Sequence, residues 1–262
     1  MLMAFKSIMA TLKYIFLCIG YNVKQSVSNK KSFIIQTITM FINNFVFIYF
    51  WQILFNNKGG SINEITMSDI LYLWSIPTIG FGFAFFCFGG IDTLCHDIVN
   101  GNLDIYLTKP KSSLISTLTS RSILSAMGDL IFGIVCGVIA VKFNPIKILW
   151  ILVLGLLSGV LYVCVTTSTR LLAFWFGDIS TACNKYTNSL LITLTIYPEE
   201  MFPGVIKFLM YTIIPAGYIA HVPIKFMTTS SIIWLIILLA ATVFFAFLTW
   251  FIYKQGLKKY QS

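Results

Sequence analysis

Long apolar runs separated by short polar stretches set the pattern of this chain. The runs 32–55, 69–90, 114–141, 148–170, 171–197 and 232–253 predict six helices. Each is long enough to cross roughly 30 Å of hydrocarbon. Residues 1–31 follow a different rule. Phe5, Ile8, Met9, Leu12, Ile15, Phe16 and Ile19 share one helical face, with Lys6 and Lys13 opposite. Such a helix lies in the membrane interface. A cleaved signal segment fits less well, because Lys13 interrupts its apolar core and no small-residue cleavage site follows. Residues 198–228 are apolar but broken by Pro198, Pro203, Pro215 and Gly217. They read as a helix pair that enters the far side of the membrane and returns.

The segment 91–113 is the polar insertion around which the rest is arranged. Ile91, Leu94, Cys95, Ile98 and Val99 recur at spacings of three and four, which predicts a short amphipathic helix. Asn100-Gly101 ends it, since glycine takes the left-handed cap conformation without a Cβ clash. Leu103, Ile105 and Leu107 form a second apolar set that Pro110 stops, and Ser112 or Ser113 caps the next helix. The insertion is thus an ordered handle at a membrane surface, shaped to be gripped from outside.

Composition sharpens this class. The chain has 262 residues, 58% of them hydrophobic and only 10% charged, with a mean hydropathy of +0.86. A soluble domain is nearer 25% charged. The net charge of +9 is scattered at the ends of apolar runs and does not form a nucleic-acid patch. With six spans and both ends inside, Lys58, Lys142, Lys147, Lys207 and Lys225 fall outside, and the other lysines and arginines fall inside. That bias follows the positive-inside rule and puts the handle in the cytoplasm. The six cysteines show no paired spacing and read as small buried hydrophobes.

No motif for chemistry emerges. There is no GxxxxGK[ST] and no HExxH. Cys95, His96 and Asp97 are adjacent and so point in different directions on a helix, which makes a poor metal site. Gly155-Leu-Leu-Ser158-Gly has one residue too many for the intramembrane serine-protease motif. The charges within apolar runs remain as candidates for a translocation path. Asp129 costs roughly 2.5–3.5 kcal/mol at mid-span, so it needs a partner or a wet cavity. Asn43 and Asn44 are expected to hydrogen-bond to neighbouring helices. Asp178 and Lys185 are seven apart, on one face of the predicted fifth span. Glu199 and Glu200 form a polar outer turn or gate. Gly133/Gly137 and Gly155/Gly159 favour close helix packing in lipid.

Four stretches carry a family resemblance. They are Ile98-Val-Asn-Gly-Asn-Leu-Asp-Ile-Tyr-Leu-Thr-Lys-Pro110, Phe174-Trp-Phe, Tyr197-Pro-Glu-Glu-Met-Phe-Pro203 with Ile214-Pro215, and Gly256-Leu-Lys-Lys-Tyr260. Together with the span order they resemble the ABC-2 type permeases of ABC exporters, over essentially the whole chain. Lys109, Lys258 and Lys259 stand where arginine is commoner in that family. The resemblance implies an all-α membrane protein with six transmembrane helices, an N-terminal interfacial elbow helix, a cytoplasmic coupling helix and an extracellular re-entrant pair before the last span. It implies a second permease, identical or closely related, and ATP-binding subunits that hold the ATP and magnesium. This chain then binds no cofactor, holds no metal and catalyses nothing. The coupling contact falls to Ile91, Leu94, Ile98, Gly101, Leu103, Asp104 and Pro110. A hydrophobic, lipid-like or peptide cargo suits the aromatic-rich second span. The rival is a secondary transporter coupled to ions through Asp129, which needs no handle.

Overall fold

The structure, a computed structural model, describes residues 2–27, 30–57, 61–62, 65–109 and 112–260. The described residues are almost wholly helical. The exception is an antiparallel ribbon of two residues a strand, β1 (Ser61–Ile62) and β2 (Ile65–Thr66). Four helical stretches are long and apolar enough to cross a membrane: Phe33–Asn57, Met67–Val99, Pro145–Phe176 and Ile232–Lys259.

Helix α1 (Leu2–Val27) precedes α2 (Lys30–Asn57). The bundle is then built on α3 (Met67–Phe88), which starts at a capping box: the Asp69 carboxylate accepts from the Thr66 amide at 2.9 Å. Helix α3 is buried on most sides because α7 (Ala126–Ala140) and α8 (Pro145–Leu171) flank it. Small residues allow that approach. A Cβ on Gly80 would lie 2.9 Å from the Gly159 amide nitrogen, and one on Gly133 would lie 2.9 Å from Ile79. Ser75 Oγ also donates to the Gly133 carbonyl at 2.8 Å. Both GxxxG pairs therefore face the same helix. Helix α14 (Ile232–Lys259) packs on the outside of α8, where Thr249 Oγ1 donates to the Cys164 carbonyl at 2.9 Å. Helix α2 packs on α7 and α3, with Phe47 stacked on Trp74 at 3.9 Å.

Two predicted helical runs are broken. Residues 114–141 divide into α6 (Ser113–Leu118), a turn and α7. The Thr117 and Thr119 hydroxyls bond back to the carbonyls of Ser113 and Ile115, and the turn follows them. Residues 171–197 divide into α9 (Ala173–Phe176), α10 (Ser180–Lys185), a π-helical stretch Tyr186–Leu191 and α11 (Ile192–Ile196). Gly177, at φ 71°, makes the first break. Between Glu199 and Thr229 lie α12 (Gly204–Tyr211) and α13 (Val222–Thr229), eight residues each. Eight residues span only about 12 Å. The π-helical turn Gly217–His221 that leads into α13 extends that helix to thirteen residues, still short of roughly 30 Å of hydrocarbon.

Candidate functional site

The handle begins in a 3₁₀ turn, Gly89–Thr93, and continues as α4 (Leu94–Val99). Gly101 follows at φ 75°, as the left-handed cap requires, and α5 (Asp104–Leu107) completes it. Asp97 ties the two short helices together. Its carboxylate accepts from Thr93 Oγ1 at 3.0 Å and from Asn102 Nδ2 at 3.4 Å, and its carbonyl accepts from the Leu103 amide at 3.2 Å.

A charged clamp fixes this unit to the bundle. Arg170, at the end of α8, donates from Nη2 to Asp92 Oδ1 at 3.0 Å and to Asn184 Oδ1 at 3.1 Å. Its side chain is almost fully buried, so the guanidinium needs both acceptors. Cys95 Sγ donates to the Arg170 carbonyl at 3.6 Å. The end of α14 closes the same region. Tyr253 OH and Ser113 Oγ share a hydrogen bond of 2.5 Å, and Phe174 meets the Tyr260 ring edge-on at 5.9 Å. Gly256 has no Cβ, which leaves room for the Phe174 ring. Three of the stretches that resemble the family thus converge on one end of the bundle.

The expected contact face needs correcting. Ile91, Leu94 and Leu103 are 1%, 0% and 0% exposed and Ile98 is 5% exposed, all within the chain's own core. An apolar period says which side of a helix is buried, but not by what; here α8 and α9 bury it. These residues anchor the handle. The apolar surface it leaves open is Val99, Ile105 and Leu107, at 46%, 64% and 41% exposure. Asp104 is half-buried beside them, and the Lys109 ammonium lies 4.7 Å from the centre of the Tyr106 ring. Pro110 lies outside the described residues.

The path candidates are not brought together. Asp129 is buried at 6% exposure in the first turn of α7, and its Oδ1 accepts from Asn44 Nδ2 at 2.6 Å. Asn44 also donates to the Met40 carbonyl at 3.1 Å, whereas Asn43 is exposed. Asp178 and Lys185 do not share a helix face. Asp178 lies in the loop after Gly177, where its Oδ1 accepts from the Ser180 amide at 3.0 Å, and exposed Lys185 ends α10. No group of three or more His, Cys, Asp or Glu among the described residues is placed to hold a metal.

At the opposite end, Glu199 receives Lys225 Nζ at 2.9 and 3.0 Å and the Tyr211 hydroxyl at 2.6 Å. Burial resists ionisation of Glu199, but these bonds and the lysine charge outweigh it and hold the carboxyl below its usual range. The group borders a recess of about 300 Å³ whose walls include Asp69, Glu200 and His221. Glu200 itself is exposed. Sequence reasoning singled out neither Lys225 nor Tyr211 as partners of Glu199. It used Arg170 only as a topology mark, because the positive-inside rule already accounts for a basic residue at the end of an apolar run.

Neither a curated protein nor a solved structure matches the chain. The family model described as ABC-2 family transporter protein matches residues 9–262. A handle locked into a helical membrane bundle, in a chain matched over nearly its whole length, fits that assignment: this chain belongs to the ABC-2 family of transporter proteins and is an ABC transporter permease.

Proposed function

We propose that this chain is the transmembrane subunit of an ATP-driven exporter. It works beside a second permease, and separate ATP-binding subunits dock on the handle. In this reading α2, α3, α6 with α7, α8, α9 through α11, and α14 make six crossings. Helix α1 is the elbow, α12 and α13 are the re-entrant pair, and both termini are cytoplasmic. Charge supports the orientation. Lys109, Arg121, Arg170, Lys254, Lys258 and Lys259 gather at the handle end, while Lys142, Lys147, Lys207 and Lys225 lie in the segments at the other end. ATP and magnesium belong to the partner, and the permease supplies the path and no catalytic group. The cargo is hydrophobic, lipid-like or peptide.

One observation carries this reading most of all. The handle keeps Val99, Ile105 and Leu107 exposed while a buried arginine clamps its base. A rigid lever with an open apolar tip suits a partner that pushes. Residue roles follow from position: Ile91, Leu94, Ile98 and Leu103 transmit the push into α8, and Gly101 sets the lever's bend. The Glu199–Lys225–Tyr211 group holds the outer end closed. The ion-coupled alternative depends on Asp129, and its bond to Asn44 supports a packing role instead. Reconstitution with the native ATP-binding subunits decides between them. Export should require ATP hydrolysis and persist when ion gradients are collapsed. Export driven by an ion gradient without those subunits would reverse the assignment.

A further inference from the structure

Helix α1 lies along the connection between α6 and α7. The Tyr14 hydroxyl donates to Ser116 Oγ at 3.1 Å, and Asn22 Nδ2 donates to the Thr119 carbonyl at 3.0 Å and to Ser122 Oγ at 3.2 Å. The join encloses a recess of about 470 Å³ lined by Asn22, Gln25, Ser120, Arg121 and Ser122. Every one of these side chains is polar. Arg121 is exposed and has no ion-pair partner among the described residues. Ser122 Oγ accepts from Asn22, which leaves its own proton to donate outward.

The two segments that line the recess carry basic charge and no acid. Lys24 adjoins Gln25, and no aspartate or glutamate occurs in residues 1–63 or 105–128. A guanidinium flanked by the hydroxyls of Ser120 and Ser122 matches a phosphate group in charge and in donor chemistry. The recess also opens onto an apolar track. Leu17, Tyr21 and Gln25 are four apart on α1 and so share a face, and Leu17 and Tyr21 are 53% and 73% exposed. Phe16, 72% exposed, widens that track. A ligand matched to both features has an anionic phosphate at one end and a hydrocarbon chain at the other.

We infer that this recess is a binding site for an anionic phospholipid, with its headgroup phosphate on Arg121 and an acyl chain along Leu17 and Tyr21. The site is distinct from both the handle's open tip and the outer recess. It still bears on the handle, because a Cβ on Gly89 would lie 3.1 Å from the Arg121 carbonyl. A lipid seated there pins α1 to the turn that packs against the base of the handle.

The test is native mass spectrometry on the full chain purified in detergent, with phosphatidylglycerol or phosphatidylcholine added. Phosphatidylglycerol should be retained in preference to phosphatidylcholine. Arg121→Gln should weaken its retention about tenfold, as expected for loss of one charge-assisted contact. Arg121→Lys should recover part of it, and Lys147→Gln, on the start of α8, should change nothing. Free inorganic phosphate should not displace the lipid, because the chain contributes. Equal retention of the two lipids, unchanged binding by Arg121→Gln, or displacement by phosphate would each overturn the site. If Arg121→Gln does not fold, photoactivatable phosphatidylglycerol on the unmodified chain decides. Labels in peptides covering 9–25 and 119–122 support the site, and labels confined elsewhere overturn it.

Discussion

Asn44 and Asp129 stand 85 residues apart in sequence and are joined by a bond of 2.6 Å between α2 and α7. A buried carboxylate without a partner is expensive, so the pair should be coupled. In a double-mutant cycle of Asn44→Ala and Asp129→Leu, read by thermal unfolding in detergent, we expect a coupling of about 0.6–1.7 kcal/mol. Additive effects would mean the bond contributes nothing. Glu199 offers a second test at this scale. Its carboxyl is held below the usual range by Tyr211 and Lys225 against the cost of burial. Its stabilisation is therefore present above the unfolded value, about 4.3, and is lost as pH falls through the lower folded value. The melting temperature of the wild type should exceed that of Glu199→Gln near neutral pH, and the gap should close with acidification. A gap that is constant with pH would show that ionisation plays no part. The need of Asp129 for a partner was legible in the sequence, because an acid in an apolar run has few options. The identity of Glu199's partners was not, because Tyr211 and Lys225 arrive from α12 and α13 through a fold that no local pattern encodes.

At the scale of elements, the turn chemistry and the apolar periods could be read directly. Gly101 takes the positive φ that Asn100-Gly101 implied, and the two GxxxG pairs mark real close approaches, though both to α3. The breaks inside 114–141 and 171–197 were hidden, because hydropathy averages over a turn whose flanks are apolar. Ser120-Arg121-Ser122 and Gly177 were the available signals. The handle shows the same limit. Its stripe was visible, but whether α8 or another protein covers that stripe depends on tertiary packing. The distinction is measurable. Leu94 has no exposed surface, so Leu94→Ala should cost the isolated permease about 2–5 kcal/mol of stability. Ile105→Ala, at 64% exposure, should cost less than about 0.5 kcal/mol. Equal losses for the two in thermal unfolding without any partner would contradict this division of the handle into anchor and tip.

The whole molecule is a bundle with two unlike ends. One end gathers the handle, the Arg170–Asp92 clamp, the end of α14 and the recess beneath α1. The other holds the Glu199–Lys225 lock. Function as a lever requires that force applied to the handle's tip reach α8 through the clamp, without the tip itself being part of the core. Binding between the permease and its ATP-binding subunit, compared for wild type and for a Val99→Asp, Ile105→Asp double variant, tests that claim most directly. Two anchors worth about 2 kcal/mol each correspond to weakening of about a thousandfold, while the variant keeps the wild-type melting temperature. ATP-driven export should fall with it. A folded double variant that binds the ATP-binding subunit as tightly as the wild type, and exports at the same rate, would contradict the account.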